Sequence, residues 1–151
     1  MVTKPKLDDL HNSVWRLFLA AHVKLLDCIE QRLSRAGLPS LEWYDVLITL
    51  KEAPDYRLRL SSLAEKVLLS RSNLTRLVDR LEKAGLLCRE SCPHDRRGTF
   101  AVLTEAGLAM QRQMCPVYAE GVAEYFACCI DDTEAKVMQQ VLQRMLAATC
   151  E

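Results

Sequence analysis

The sequence predicts a mainly α-helical protein with one small β-hairpin, and three observations lead there. Apolar residues recur at three- and four-residue steps through most of the 151 residues. Half of the residues are hydrophobic and only five are glycine. The one stretch that leaves the helical period is Leu86 to Leu103. There two short strand-like runs, Leu86 to Cys92 and Thr99 to Leu103, flank a polar tip, Pro93-His94-Asp95-Arg96-Arg97-Gly98.

In chain order, a first helix is expected from about Leu7 to Ala36, stopped by Gly37. Leu10, Val14, Leu17, Phe18, Ala21, Leu25 and Cys28 form one apolar stripe on it. Trp15, Leu19, His22, Leu26, Ile29 and Leu33 form a second. A lone surface helix needs one apolar face, so two imply a helix sandwiched between its own domain and a second copy of the chain. Ser40 then reads as the cap of a helix through Lys51, with Trp43, Val46, Leu47 and Leu50 facing the core and Pro54 closing it. Tyr56 to Leu60, carrying Arg57 and Arg59, is expected as a third strand beside the hairpin.

The third helix is short, with Leu63, Ala64 and Val67 on one face and a capping-box spacing at Ser62 and Glu65. A turn, Leu68-Leu69-Ser70, leads to the fourth, for which Ser70 is the expected N-cap. That helix sets Leu74, Leu77, Val78 and Leu81 inward, and points Ser72, Arg76, Asp79 and Lys83 the other way. Asn73, Thr75 and Arg80 lie on its flanks. Gly85 is placed to end it. Thr104 is expected to cap a long fifth helix toward Cys128 or Cys129, kinked at Pro116. Asp131 and Glu134 have capping-box spacing again and open a last helix through about Thr149. Its apolar residues are Val137, Val141, Leu142, Met145 and Leu146.

Two helices joined by a tight turn, the second displaying Ser, Asn, Thr and Arg, match a helix-turn-helix reader of the major groove. On the helices alone, a pair of amphipathic helices with a merely solvated polar face remains open. The hairpin tip, with adjacent Arg96 and Arg97, suits a duplex backbone or a narrow minor groove and makes the unit a winged helix. Charge is distributed accordingly. The chain is neutral, yet between Pro54 and Phe100 ten Lys/Arg face six Asp/Glu, a net +4 that the acidic remainder offsets.

Other classes are weakened. No apolar run approaches the roughly 20 residues that span a bilayer, and MVTKPKLDDL lacks a signal-peptide core, so a soluble, cytoplasmic protein without membrane contact is expected. The seven cysteines, an odd count with no secretion signal, speak against a disulfide framework, and most of them read as small buried hydrophobes. Cys88 and Cys92 would lie roughly 13 Å apart on a strand, too far to share a zinc with His94. Cys128 and Cys129 would diverge on a helix. No metal and no cofactor are expected. No phosphate loop, nucleophile elbow or metal-spaced His and carboxylate pair suggests an enzyme.

The segments LTRLVDRLEKAGLL and DRRGTFAVLTEAG resemble the recognition-helix and wing signature of the MarR family, the multiple-antibiotic-resistance regulators. The resemblance implies one winged helix-turn-helix domain over 1–151, with about six helices and a hairpin wing. Its DNA-binding part would span about 54–104. It would dimerise through N- and C-terminal helices at about 7–36 and 105–149. It implies a homodimeric repressor on a palindromic operator, released by a small aromatic or phenolic effector bound between the dimer base and the winged head.

Residue by residue, Ser70, Arg71, Ser72, Asn73, Thr75, Arg76 and Arg80 are the expected recognition-helix contacts. The resemblance makes Arg96 and Arg97 the wing contacts, with Arg97 in the minor groove. It makes Asp95 a brace for the wing, for which Arg89 is the expected partner. Asp79 reads as an ion-pair partner of Arg76 or Lys83 on its own helix. Trp15, Arg16, His22 and Tyr44 are the candidate effector residues. In the peroxide-sensing branch of the family a cysteine stands where this chain has Trp15. That departure counts against the mechanism, although Cys115 or Cys150 could act by another route. A thiol redox sensor of the same fold is the first alternative, and a helical interaction module without DNA binding the second.

Overall fold

The computed structural model describes residues 4–149 apart from residue 71, and gives the backbone but not the side chains of residues 95–97. Among the described residues, six α-helices and three strands follow in the order α1 (Asp9–Arg35), α2 (Leu41–Glu52), β1 (Arg57–Arg59), α3 (Leu60–Lys66), α4 (Leu74–Lys83), β2 (Leu87–Cys92), β3 (Asp95–Leu103), α5 (Glu105–Tyr125) and α6 (Asp132–Ala148). The winged-helix expectation holds. The strands form one antiparallel sheet in the order β1-β3-β2, so Arg57–Arg59 is the third strand.

The chain divides into two compact units: Glu30–Ala119, and the residues up to Ile29 together with those from Glu120 on. Glu30–Ala119 carries the core. Val46, Leu47 and Leu50 of α2, Leu63 of α3, Val78 and Leu81 of α4, and Leu87 and Ala101 of the sheet are fully or almost fully shielded from water. Leu74, Leu77, Val78 and Leu81 are all buried, as the spacing on α4 requires. Trp43 is only half-buried, and Tyr44 takes its place inside.

Helix ends follow local chemistry where side chains are free to act. Gly85 adopts φ +76° after α4, and the Leu86 N–H donates back to the Leu81 carbonyl at 3.0 Å, a glycine-dependent cap. Gly37 closes α1 in the same way, at φ +70°. Asp131 and Glu134 make the full reciprocal box on α6, at 2.8 and 3.0 Å. Two expected caps fail. Arg59 is the cap position of α3, so Ser62 and Glu65 already lie inside the helix. The cap position of α4 is Asn73, because Ser70 is packed inside, 5% exposed, and the chain needs three more residues to emerge and turn.

Helix α5 runs through Pro116 as one element and ends before a 3-10 turn, Ala127–Cys129. That turn brings the sulfurs of Cys128 and Cys129 to 3.8 Å, whereas adjacent residues on a regular helix would diverge.

The other unit lacks a comparable interior. Among the described residues, Ile29 is its one buried hydrophobic side chain. Leu10, Val14, Trp15, Leu17, Phe18 and Leu19 of α1 and Val137, Met145 and Leu146 of α6 are all exposed in the single chain.

Candidate nucleic-acid interface

The polar face of α4 is presented as its spacing predicts. Ser72, Asn73, Thr75, Arg76 and Arg80 are exposed, while the opposite stripe is sealed in the core. Ser72 and Asn73 precede the helix, and Thr75 and Arg76 occupy its first turn, where side chains reach base edges. Ser70 is not part of this face. Its hydroxyl is buried and meets no partner among the described residues, so both its expected cap and its expected DNA contact are corrected. Arg71 lies outside the described residues.

Below this face α4 is tied to the wing. The Arg89 backbone N–H donates to Glu82 Oε2 at 2.9 Å and its guanidinium donates to Glu82 Oε1 at 2.8 Å. The same guanidinium pairs with Asp79, which helps hold its proton more tightly than an ordinary arginine does. Asp79 therefore faces β2 and not Arg76 or Lys83, correcting its sequence reading. Arg89 is engaged by Asp79 and Glu82 of α4, while the side chain of Asp95, its expected partner, lies outside the described residues.

The wing is a close hairpin. Cys92 pairs with Asp95 across Pro93 and His94, and the next pair is Ser91 with Thr99. Residues 96–98 therefore have no counterpart on β2 and form a bulge, which turns the strand locally. The expected tip of six residues is thus a two-residue turn with the arginines of 96 and 97 in the bulge beside it. Their side chains, and that of Asp95, lie outside the described residues. Arg57 pairs with Glu90 at 2.9 Å and stacks over Phe100, and Arg59 reaches Cys92 Sγ at 3.6 Å. Both arginines of β1 brace the sheet.

Two further positions carry no local sequence signal. The Asp45 carboxylate on α2 is buried, and its Oδ2 accepts the N–H groups of Leu68 and Leu69, each at 2.9 Å. It anchors the turn from which α4 departs. Gly107 at the start of α5 passes so close to Leu86 that an added Cβ would sit 1.9 Å from the Leu86 carbonyl oxygen. Thr104 Oγ1 accepts the Gly107 N–H at 3.0 Å and donates to the Gly85 carbonyl at 2.6 Å, so the expected cap of α5 also pins the end of α4.

Of the candidate effector residues, Trp15, Arg16 and His22 are exposed on α1 in one unit, and Tyr44 belongs to the other. Trp15 stacks on Phe18 with ring centroids 6.3 Å apart. Tyr44 stacks on Tyr118 at 4.5 Å, and burial raises the pKa of its hydroxyl, keeping it neutral.

A family model described as MarR family matches residues 40–99, the segment that holds α2, the helix-turn-helix and most of the hairpin. The HTH-type transcriptional regulator MhqR of Bacillus subtilis is 30% identical over 125 residues, spanning 83% of this chain and 83% of that protein. The chain belongs to the MarR family. Its likeness to MarR structures extends over nearly the whole fold. Sco3205 of Streptomyces coelicolor, a MarR family transcriptional regulator solved in complex with DNA, is 32% identical. It superposes with a TM-score of 0.89, over 99% of this chain and 94% of that one. AbsC, a MarR family regulator of the same organism, gives 32% and 0.86 over 96% and 97%. The Transcriptional repressor MprA of Escherichia coli K12 is 28% identical over 132 residues, 87% of this chain and 74% of that protein. These relatives are transcriptional regulators and not enzymes. The chain is a MarR-type DNA-binding transcriptional regulator. Among the described residues, no helix is long and apolar enough to cross a membrane.

Proposed function

We propose that this MarR protein is a homodimeric repressor that leaves a palindromic operator when a small aromatic or phenolic effector binds. One observation carries the assembly. The unit made from the two ends of the chain has almost no interior, yet exposes Leu10, Val14, Leu17 and Phe18 on α1 and Val137, Met145 and Leu146 on α6. A surface of that kind is stable in water once a second copy covers it. The proposed dimerisation helices are thus α1, α6 and the C-terminal part of α5, and the DNA-binding part is residues 54–104.

In the proposed complex, Thr75, Arg76 and Arg80 of α4, preceded by Arg71, Ser72 and Asn73, enter the major groove. Arg96 and Arg97 of the wing follow the backbone, Arg97 entering the minor groove, and Asp95 braces the wing. Two heads related by a two-fold axis read half-sites about one helical turn apart. That MprA is named a repressor supports the sign of regulation. Trp15, Arg16, His22 and Tyr44 stand as the effector residues, offering flat apolar surface and a cation. The test is to recover promoter fragments that the protein retains, then repeat the retention with phenolic compounds and with peroxide. Release by a phenol supports the reading; release by peroxide alone replaces it with a thiol sensor.

A further inference from the structure

Between α5 and α6 stands a pair of thiols for which DNA binding has no use. Cys128 and Cys129 are both exposed, and the 3-10 turn Ala127–Cys129 sets their sulfurs 3.8 Å apart. An atom of the size of zinc bonds sulfur at about 2.3 Å, so two sulfurs sharing one such atom stand about 3.5–4 Å apart. The pair is therefore already at bridging distance. Cys129 also borders a mainly apolar hollow of about 360 Å³, walled by Ile130, Thr133, Glu134, Val137 and Met138. Glu134 is held in its capping box with Asp131. These features select a ligand. Paired sulfurs favour soft, thiophilic centres. Among the described residues no group of three or more His, Cys, Asp or Glu side chains is placed to hold a metal ion, so a centre that needs three or four protein ligands is poorly served. Trivalent arsenic makes three bonds. With one organic group attached it needs only two thiols, and that group brings apolar surface to the place where the hollow opens.

We propose that Cys128 and Cys129 form a dithiol site for a monosubstituted trivalent arsenical, whose organic group sits against Ile130, Val137 and Met138. With an arsenoxide, R–As=O, two As–S bonds form and the arsenic–oxygen bond breaks. The oxygen leaves as water with both thiol protons. Arsenic stays trivalent, so the step needs no oxidant and no reductant. The hydrogen bond with Cys129 raises the pKa of the Cys128 thiol and keeps it protonated. That disfavours the thiolate on which attack by peroxide depends. The exchange with an arsenoxide starts and ends with neutral species.

The test uses the reduced full-length protein, phenylarsine oxide as the probe, and millimolar glutathione as a competing monothiol. Intact-mass analysis should show one phenylarsine group gained and two hydrogens lost per chain. The adduct should survive glutathione and be removed by the dithiol dimercaptopropanol. Cys128→Ser and Cys129→Ser change exposed positions and should leave the fold intact. Each should lower the affinity at least about a hundredfold, the usual contribution of a second, linked bond. Met138→Ala should weaken retention of phenylarsine oxide several-fold and leave that of methylarsine oxide unchanged. The readout is a mass, so it stands whether or not the protein retains a duplex. An adduct that glutathione strips from the wild type, or one that keeps its full affinity in either serine variant, overturns the dithiol site. Equal effects of Met138→Ala on the two arsenicals overturn the seat of the organic group.

Discussion

Glu82 of α4 holds Arg89 of β2 twice, one carboxylate oxygen taking the backbone N–H and the other the guanidinium. This relationship ties α4 to β2, so the spacing between the proposed groove-reading face and the proposed wing contact is constrained before DNA arrives. Both side chains are part-exposed, which weakens the ion pair relative to a buried one. Glu82→Ala and Arg89→Ala should each lower stability by about 1 kcal/mol, and the double variant should lose less than the sum. Urea denaturation of the four proteins checks this; strict additivity would mean that the contact does not couple the two elements.

Gly107 is required by proximity. A methyl group there would collide with backbone, the Leu86 carbonyl, and not with a side chain able to swing away. Gly107→Ala should therefore destabilise by at least about 2 kcal/mol, although alanine is the better helix former. Thermal unfolding of the variant measures it, and an unchanged or raised midpoint would show that α5 has room to shift.

Much of this fold is legible in the sequence because its signals are local. The α4 stripe, the Gly85 cap and the Asp131–Glu134 box each depend on residues within one or two turns of one another. Ser70 misleads because its chemistry suits a cap while its position is packed inside, and burial overrides the local preference. Asp79 misleads similarly, since its neighbours on α4 compete with a strand that the sequence places ten residues on. The roles of Asp45 and Gly107 depend on chain segments about twenty residues away and leave no periodic trace. The exposed polar face of α4 is legible almost residue by residue; the Asp45 anchor beneath it is not.

The assembly prediction follows from the bare apolar faces. Leu10→Glu with Leu17→Glu places two charges on exposed α1 positions, 71% and 66% accessible in the single chain. A protein that works as one chain would tolerate both. The proposed dimer should instead dissociate, with DNA affinity falling as paired half-site contact is lost. Sedimentation at micromolar concentration decides it: a wild-type monomer, or an intact dimer in the double variant, contradicts the proposed interface.

The most direct test of the account is to titrate wild type, Arg76→Ala and Arg97→Ala against cognate and scrambled duplexes at several salt concentrations. Arg76 is exposed on the first turn of α4 and is assigned to base edges; Arg97, on the wing, is assigned to the backbone and minor groove. Arg76→Ala should lose on the order of 1–3 kcal/mol at the cognate site and relax preference at one base pair per half-site. Arg97→Ala should weaken all sequences alike and reduce the salt slope by about one unit. If Arg76→Ala weakened every duplex equally, or Arg97→Ala left scrambled DNA untouched, α4 would not be the reading element and the account would be wrong.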